Sequence, residues 1–304
     1  MTSPLLDYAI TGGAGFIGSH LARALLQQGN AVDIVDNLST GNLSNLSGIQ
    51  DKIKFHNTDI RDGANLKKIF AGKDGIFHHA ALTSVAESYQ KEQEYKDVNV
   101  DGTKNVFEAA RDAGTKVVFA SSSSIYGNTD TVPTPESAKP KPANPYGATK
   151  LETEIMAQKY QKEFDIVGLR YYNVYGNNPA NSSSGVISRF YQNTIANKPL
   201  VIDGDGKQLR DFVFVGDVVK ATIYAMEKDT GSAFINIGSG TTISILALAN
   251  LFIKYSKKNL EPVFQKEPEG NVRASQADIS LAKKLLGWRP ETKLEEWIQN
   301  LFKK

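Results

Sequence analysis

The sequence contains no cysteine, so disulfide bonds, thiolate nucleophiles and cysteine-ligated metals are all excluded. Its four histidines stand at no spacing typical of a metal site, so we expect no bound metal. No apolar stretch approaches the roughly 18 residues that a membrane-spanning helix needs. The N-terminus lacks the charged segment followed by an apolar stretch that is typical of a signal peptide, so we expect none. These absences predict a cytoplasmic protein with no membrane partner.

The chain also lacks a large excess of positive or negative charge. The chain has 35 lysine and arginine residues against 33 aspartate and glutamate residues, which leaves a net charge of +2. A protein that binds nucleic acid is expected to show a basic stripe or patch, but the paired lysines of this chain are scattered. We therefore expect no nucleic-acid partner. With 304 residues and 40% hydrophobic content, the chain is long enough to bury a large core.

Short apolar runs alternate with segments of helical spacing through the first half of the chain. The apolar runs are Tyr8–Thr11, Ala31–Asp36, Ile53–His56, Gly75–Ala80, Lys116–Ser121 and Ile166–Tyr171. The helical segments are Ile17–Gln28, Asn65–Ala71, Val98–Ala113 and Tyr146–Phe164. This rhythm predicts an α/β fold with a doubly wound parallel sheet, covered by helices on both faces.

The second half has a mixed pattern that predicts a smaller α/β lobe. Its helical segments are 186–197, 216–228, 243–256, 278–286 and 292–302, and its strand-like runs are Pro199–Ile202, Asp211–Val215 and Phe234–Ile237. The stretches 128–145 and 177–185 are rich in turn-forming residues and predict loops; the second is interpreted as a mobile loop near a site or as a plain linker. We expect one domain over 1–172 and another over 173–304, with some exchange of strands and helices.

The first apolar run leads into a glycine-rich turn that is typical of a dinucleotide site. Gly12, Gly15 and Gly18 follow the pattern GxxGxxG, and Phe16 and Ile17 begin the next helical segment. Glycines permit a tight turn, close approach of a pyrophosphate and close packing of helix on strand, while the helix N-terminus attracts phosphate. A purely structural turn is the alternative, but the flanking strand and helix favour a Rossmann domain that binds a dinucleotide.

Asp36 ends the second apolar run, where a carboxylate accepts hydrogen bonds from the adenosine ribose hydroxyls. It would repel a 2′-phosphate, so the predicted cofactor is NAD rather than NADP. The alternative is that Asp36 only begins the loop that continues with Asn37. Other candidate cofactor-binding residues follow the second, third and fourth runs; they are Asn37, Asp59, Ile60, Ala80, Ala81 and Asn99. Simple solvation is the alternative role for the polar ones.

Tyr146 and Lys150 stand four residues apart at the start of a helical segment, so their side chains share one face. We expect the Lys150 ammonium to lower the pKa of Tyr146 from about 10, so that the phenolate can accept a proton from an alcohol. Tyr224 and Lys228 have the same spacing, and we expect them to be structural. The first pair differs because it follows a run that ends in consecutive serines.

Five motifs occur in the order of a known family. They are the glycine-rich turn, Ser-Ser-Ile-Tyr-Gly, Asn-Pro-Tyr-Gly-Ala-Thr-Lys, Leu-Arg-Tyr-Tyr-Asn-Val-Tyr-Gly and Arg-Asp-Phe-Val-Phe-Val-Gly-Asp. Together they resemble the extended short-chain dehydrogenases that act on nucleotide sugars. The resemblance is closest to UDP-glucose 4-epimerases and UDP-N-acetylglucosamine 4-epimerases, and it covers nearly the whole chain.

The resemblance implies a catalytic set of Ser122, Tyr146 and Lys150, in which Tyr146 is the base and Lys150 also holds the nicotinamide ribose. It implies that Asn173 and Arg210 bind the diphosphate of a UDP-sugar. Related dehydratases carry an Asp-Glu pair after the catalytic hydroxyl, and decarboxylases keep a Glu. This chain has Ser123 and Ser124 at those positions, which favours reversible oxidation at C4 over elimination. The resemblance also implies that Ser122, Ser123 and Ser124 contact the substrate.

The position of Ser275 matches a residue beside the sugar 2-substituent in that family. A tyrosine there excludes an acetamido group, so Ser275 implies that acetamido sugars are accepted. Two positions depart from the family, since Pro268 and Asn271 replace an expected Arg and Asp. Asn271 can still bind hydroxyls, and Arg273 or Lys266 are candidates to replace the missing arginine.

The sequence thus predicts a UDP-hexose 4-epimerase that works through a 4-keto sugar and keeps its NAD. The alternatives are a related enzyme acting on UDP-glucuronate or a deoxythymidine sugar, and a non-catalytic sensor of NAD or sugar nucleotides. Resemblance also implies a homodimer in which helices over 98–113 and 146–164 form a four-helix bundle.

Overall fold

The computed structural model describes residues 5–176, 185–267 and 270–303 of the chain. Its largest element is a parallel sheet of seven strands. They are β1 (Asp7–Thr11), β2 (Ala31–Asp36), β3 (Lys54–Asn57), β4 (Gly75–His78), β5 (Lys116–Ser122), β6 (Ile166–Tyr171) and β11 (Phe234–Ile237). Their spatial order is β3-β2-β1-β4-β5-β6-β11, so the order reverses between β1 and β4. The predicted doubly wound α/β fold is confirmed.

Helices cover both faces of this sheet, which is why its central strands are continuously apolar. The helices are α1 (Phe16–Gln27), α2 (Gly63–Phe70), α3 (Val85–Ser88), α4 (Glu92–Lys96), α5 (Thr103–Ala113), α6 (Pro145–Tyr160) and α8 (Val215–Glu227). One buried cluster contains Leu21 and Leu25 of α1 with Val218 of α8. The other contains Leu66 of α2 and Phe107 of α5. The two clusters hold the sheet rigid between them.

The second lobe contains three small sheets among the described residues. Their strands are β7 (Asn173–Tyr175), β8 (Leu200–Asp203), β9 (Leu209–Arg210), β10 (Phe212–Phe214), β12 (Ile243–Ser244), β13 (Pro262–Gln265) and β14 (Ala274–Ser275). The helices are α7 (Val186–Ile195), α9 (Ile245–Ser256), α10 (Ser280–Leu286) and α11 (Leu294–Leu301). Phe190 and Phe252, both fully buried, form the centre of this lobe with Trp297.

The chain after residue 173 contributes to both lobes. Strand β11 pairs in parallel with β6 at the edge of the large sheet, and α8 packs against α1. The region 173–304 is therefore not a separate unit. The long segment 128–145 is irregular up to α6, as expected, while the predicted loop 177–185 lies outside the described residues except for Gly185.

Several element bounds differ from the sequence-based prediction for local reasons. Helix α2 begins at Gly63 because Asp62 accepts a hydrogen bond from a backbone N–H of its first turn. The predicted helix over Val98–Ala113 is regular only from Thr103, since Asp97–Gly102 forms a wider π-helical turn. The strand predicted over Asp211–Val215 ends at Phe214, where α8 starts.

No helix in the described part of the chain is long and apolar enough to cross a membrane.

Candidate active site

The glycine-rich turn lies at the carboxyl end of β1, where the strand order of the sheet reverses. Gly12 has a left-handed backbone with φ of 70°, and a Cβ at this position would lie 2.6 Å from the backbone nitrogen of Ala80. A Cβ at Gly18 would collide with the carbonyl oxygen of Gly12. These glycines therefore permit a turn that no larger residue could form.

Helix α1 begins at Phe16. Its N-cap residue is Gly15, so no N-cap side chain accepts a hydrogen bond from the first N–H groups of the helix. The first N–H groups of a helix have no partner within the helix, so those of Phe16 and Ile17 are available to a ligand. An uncapped helix N-terminus beside a turn without Cβ atoms fits the pyrophosphate of a dinucleotide. The geometry of this turn is thus compatible with the predicted pyrophosphate site.

Asp36 ends β2 next to this turn and is buried. Its carboxylate accepts hydrogen bonds from the backbone N–H of Ala14 at 3.0 Å and of Leu38 at 2.8 Å. Burial raises the pKa of Asp36, and these two hydrogen bonds oppose that rise. The carboxylate is thus fixed beside the phosphate-binding turn, as expected for a residue that binds the adenosine ribose.

Asn37 and Asp59 lie side by side, with Nδ2 of Asn37 donating to Oδ2 of Asp59 at 2.8 Å. The pKa of Asp59 is lowered to about 2, and the largest cause is a hydrogen bond from Arg61. Ile60 is buried, and a Cβ at Gly102 would lie 2.6 Å from its Cδ1 atom. The Asn37–Asp59 pair can therefore face an adenine, whereas the Ile60 side chain packs inside the protein.

Asn99 is 1% exposed, and its amide is engaged within the protein. It accepts from the N–H of Leu82 at 2.8 Å and donates to the Leu82 carbonyl at 2.9 Å and to Oγ1 of Thr149 at 3.1 Å. It thus holds the segment that follows Ala80 and Ala81 against α6. We interpret Asn99 as a residue that positions this segment rather than as a direct cofactor ligand.

The predicted catalytic residues come together at the carboxyl end of β5. Ser122 is the last residue of β5, while Tyr146 and Lys150 lie on α6, which begins after the N-cap Asn144. The Ser122 side chain acts on the Tyr146 phenol and lowers its pKa, and Oγ of Ser122 accepts the backbone N–H of Ser124 at 3.1 Å. Nζ of Lys150 donates to the Ala120 carbonyl at 2.9 Å and lies 6.0 Å from the centre of the Tyr146 ring.

The electrostatics of this set correct one prediction. Burial raises the pKa of Tyr146 in the protein alone, and the influence of the Ser122 side chain opposes that rise. The predicted lowering by Lys150 is therefore wrong for this state of the protein. Burial lowers the pKa of Lys150 itself to about 8, with Glu154 acting in the opposite direction. Desolvation dominates because both groups lie inside the protein.

A cavity of about 590 Å³ lies between the two lobes beside these residues. Its lining includes every residue predicted to bind substrate other than Ser122, namely Ser123, Ser124, Asn173, Arg210, Asn271 and Ser275. Ser122, Tyr146 and Lys150 are not part of the described lining, but Ser123 directly follows Ser122 and Asn144 caps the helix of Tyr146. The structure thus brings the predicted substrate residues together from four separate segments.

Arg210 and Asn271 form the charged end of the cavity. Nη2 of Arg210 donates to Oδ1 of Asn271 at 2.5 Å, and Nδ2 of Asn271 donates to Glu267 at 2.7 Å. Burial lowers the pKa of Arg210 to about 10, so it stays a cation at neutral pH. Ser275 lies opposite Arg210 in the pairing of β14 with β9. The guanidinium is therefore placed to hold a diphosphate close to Ser275.

The candidates to replace the missing family arginine lie apart from this cavity. Arg273 pairs with Asp205 at 2.9 Å and is more than half exposed, at 57% of its side chain. It lines a second, outer cavity together with Asn271 and Ala274. Pro268 lies outside the described residues, and Lys266 is not in the described lining of either cavity. In the described part of the chain, Arg210 is therefore the cation of the substrate cavity.

A family profile described as the NAD dependent epimerase/dehydratase family matches residues 8–238 of the chain. The chain belongs to this family. The match covers the glycine-rich turn, Asp36 and the Ser122–Tyr146–Lys150 set, and it confirms both the resemblance stated from the motifs and NAD as the cofactor.

Relatives in this family act on different sugars. The chain is 36% identical over 298 residues to a UDP-glucose 4-epimerase of Mycolicibacterium smegmatis, with 95% of each chain covered. It is 36% identical over 307 residues to a UDP-glucuronate 4-epimerase of Thermodesulfobacterium geofontis, with 96% of this chain and 94% of that one covered. Family membership thus shows a sugar-nucleotide enzyme without choosing the sugar.

A solved structure agrees with the fold. The UDP-N-acetylglucosamine 4-epimerase from Methanobrevibacter ruminantium M1, in complex with UDP-N-acetylmuramic acid, superposes with a TM-score of 0.91 at 34% identity. The match covers 97% of this chain and 96% of that one.

Sequence reasoning missed two residues of this epimerase/dehydratase site. Tyr89 lines the cavity and donates to the Ala143 carbonyl at 3.1 Å, so its ring forms part of the wall. Glu154 is a buried residue of α6, the helix that carries Tyr146 and Lys150, and is discussed below. It stands four residues after Lys150, the same spacing that separates Lys150 from Tyr146, and that repeat was the available signal.

Proposed function

We propose that this enzyme interconverts UDP-hexoses that differ in configuration at C4, through a transient 4-keto sugar. The observation that carries the proposal is the position of Ser122, Tyr146 and Lys150 beside a cavity whose next residues are Ser123 and Ser124. No carboxylate directly follows Ser122, and none is among the described lining residues of the cavity, so the described site offers no acid and base pair for elimination of water. Oxidation and reduction at C4 need only one proton acceptor and a hydride partner.

The residues have separate tasks in this mechanism. Tyr146 accepts the C4 hydroxyl proton in its phenolate form, which burial disfavours in the protein alone and which the positive charge of bound NAD would favour. Ser122, which lowers the pKa of the phenol, relays or stabilises that proton. Bound NAD supplies the hydride acceptor and donor. Arg210 holds the diphosphate while the keto sugar turns to present its other face. Tyr146 then returns the proton to the new alcohol.

The charges of the cavity favour a neutral hexose over a uronic acid. Among the described lining residues Arg210 is the sole charged side chain, and it lies beside Asn271 at the end suited to a diphosphate. A sugar carboxylate would find no second cation there, and burying an unpaired charge is costly. We therefore favour UDP-glucose and UDP-galactose over UDP-glucuronate.

The space around Ser275 supports acetamido sugars as further substrates. Ser275 lies in the lining of the substrate cavity. The outer cavity, which also reaches Asn128 and Arg273, shares its lining residues Thr129, Gly270, Asn271 and Ala274 with that cavity. The wall near this serine is thus open rather than closed by a bulky side chain. We propose that UDP-N-acetylglucosamine and UDP-N-acetylgalactosamine are also interconverted.

The test uses the purified protein with its own bound cofactor and no added reductant. The protein is incubated separately with UDP-galactose, UDP-N-acetylgalactosamine and UDP-glucuronate. The products are separated by chromatography, and their masses are measured by mass spectrometry. We expect new isomers of unchanged mass from the first two. A product of lower mass would show dehydration or decarboxylation instead, and NAD binding without turnover of any sugar nucleotide would support the sensor alternative.

The homodimer and the cytoplasmic location stay predictions. Helices α5 and α6 pack side by side, and Ile155 of α6 is 48% exposed, which supports the proposal that this face meets a second copy. Analytical ultracentrifugation of the wild-type protein and of Ile155→Glu tests it, since a dimer that uses this face should dissociate in the variant.

A further inference from the structure

Glu154 shares one face of α6 with the two catalytic residues of that helix. It follows Lys150 by four residues and Tyr146 by eight, so the three side chains lie in a row. Its carboxylate is 2% exposed and accepts hydrogen bonds from Arg170 Nε at 3.0 Å and Nη2 at 2.8 Å. A third hydrogen bond, of 2.5 Å, comes from Oγ of Ser121, the residue before Ser122.

Arg170 connects this carboxylate to the wall of the substrate cavity. Its guanidinium lies over the rings of Tyr126 at 5.2 Å and Phe234 at 5.5 Å. Nη1 donates to the Tyr126 hydroxyl at 2.6 Å, and that hydroxyl donates to Asn236 at 2.8 Å. Tyr126 itself lines the cavity. The pair Glu154–Arg170 therefore joins α6, β5, β6 and β11 at the level of the site.

Glu154 also supplies the negative charge that acts on Lys150. The other titratable groups facing Lys150 are Tyr146 on the same helix and His78 and His79 at the end of β4. Burial lowers the pKa of both histidines, that of His79 to about 3, so both are neutral at working pH. The Lys150 ammonium therefore depends on Glu154 to offset its own burial.

Stability alone does not account for such a buried pair, because apolar residues of similar volume often stabilise a fold as well or better. We propose that Glu154 is a positioning residue for the 4-epimerisation proposed above: through Ser121 it sets Ser122 relative to Tyr146, and its charge keeps Lys150 an ammonium. Arg170 holds the Glu154 carboxylate in that orientation with two hydrogen bonds. The inference rests on the proposed function for its activity readout, and cofactor retention provides a readout that does not.

The first test is Glu154→Gln, which keeps the size of the side chain and removes its charge. The dependence of kcat on pH is measured with UDP-galactose for the wild type and the variant. Deprotonation of Lys150 ends activity at high pH in this proposal. We therefore expect the high-pH limb of the kcat profile to move about one pH unit lower in the variant. An unchanged limb would overturn the charge role of Glu154.

A double variant covers the case in which Glu154→Gln leaves Arg170 unpaired and fails to fold. Glu154→Leu with Arg170→Met removes both charges, so no uncompensated ion remains buried. We expect it to fold and to shift the high-pH limb in the same direction but by less, because the positive charge of Arg170 is removed together with the negative charge of Glu154. Glu154→Asp restores the charge on a shorter side chain, so it should recover the wild-type limb while kcat stays reduced.

The matched control is Asp33→Asn, which removes another buried carboxylate paired with a lysine. Asp33 lies on β2 and contacts Lys73 at 3.0 Å, away from Ser122 and Tyr146. The high-pH limb of this variant should equal that of the wild type. A shift as large as that of Glu154→Gln would assign the effect to general loss of buried charge.

Cofactor retention separates failure of this inference from failure of the proposed function. Bound NAD is measured after gel filtration at pH 6 and at about pH 7.5, because the Lys150 ammonium is expected to hold the nicotinamide ribose and the wild-type pKa of Lys150 is about 8. We expect both proteins to retain NAD at pH 6 and Glu154→Gln to lose more of it than the wild type at the higher pH. If the wild type turns over no sugar nucleotide, the function fails, but equal NAD retention by both proteins is what would contradict the role of Glu154.

Discussion

The guanidinium of Arg210 donates a hydrogen bond of 2.5 Å to the side-chain oxygen of Asn271, across the end of the substrate cavity. The two residues are 61 positions apart in the chain. Asn271 in turn donates to Glu267, so the arginine is oriented by an amide that is itself held in place. Nη1 of Arg210 also donates to the Leu209 carbonyl at 2.9 Å, so the guanidinium is fixed at two points and its remaining N–H groups are left for a diphosphate.

Replacing Arg210 by Lys should therefore weaken substrate binding more than it slows the chemical step. A lysine loses the planar fork, and a charge-assisted hydrogen bond contributes about 1.5–3 kcal/mol, so KM for the UDP-sugar should rise by about 10- to 100-fold. Steady-state kinetics with UDP-galactose measure it. Arg273→Lys is the control, because its exposed pair with Asp205 should change KM little. Equal effects of the two substitutions would remove the special role of Arg210.

Tyr146→Phe should reduce kcat by about 10²- to 10⁴-fold, the usual contribution of a positioned acid or base. The ring and its packing remain, so bound NAD and the melting temperature should hardly change. Tyr224→Phe is the matched control, since Tyr224 has a lysine at the same spacing, with Nζ of Lys228 5.0 Å from its ring centre. Turnover by Tyr146→Phe at the rate of Tyr224→Phe would show that Tyr146 is not the base.

Asp36→Ser should change the choice of cofactor. The substitution removes the charge that repels a 2′-phosphate and the acceptor for the ribose hydroxyls, so NAD should bind about tenfold more weakly and NADP more tightly than to the wild type. Serine retains one acceptor for the N–H groups of Ala14 and Leu38. Calorimetric titration of both dinucleotides into cofactor-free protein measures the change. Tighter NAD binding by the variant would contradict the role given to Asp36.

Ser275→Tyr should separate the two classes of proposed substrate. A tyrosine at this point of the cavity fills the space next to Asn271 and Ala274, so activity on UDP-N-acetylgalactosamine should fall by more than about tenfold. Activity on UDP-galactose should stay within about threefold, because that sugar needs less room. Ser275→Ala is the control, because it changes the same position without adding bulk. Tyrosine at another serine, such as Ser239, would be a poor control, since Oγ of Ser239 donates to Asp211 and its loss would disturb the fold. Parallel loss on both sugars in Ser275→Tyr would assign the effect to general distortion.

The strand and helix pattern could be predicted because each element carries its own apolar period. β2 and β6 have the predicted bounds, and α1 and α8 begin within one residue of them. The glycine-rich turn could also be predicted from the sequence, since its backbone geometry requires glycine at particular positions. What the pattern could not show was that β11 returns to the large sheet, because strand pairing depends on contacts far apart in sequence.

The site divides in the same way. Spacing along one helix brought Tyr146 and Lys150 together, and the motif after β5 pointed to Ser122, so these three were predicted from the sequence. The raised pKa of Tyr146 was not, because it depends on how deeply the folded protein buries the phenol. Nor was the engagement of Asn99 with Leu82 and Thr149.

By itself the sequence determined the class of fold and the dinucleotide turn, because each is encoded by residues close together along the chain. It also predicted the acidic residue at the end of β2 and, through the resemblance of its motifs to a family, the proposed catalytic set of Ser122, Tyr146 and Lys150. Only the tertiary structure decided that Arg210 meets Asn271, that Ser275 lies opposite Arg210, and that Glu154 holds Arg170 beneath Ser122. These are contacts between distant segments. Their energy comes from burial and from hydrogen bonds that exist once the two lobes are assembled.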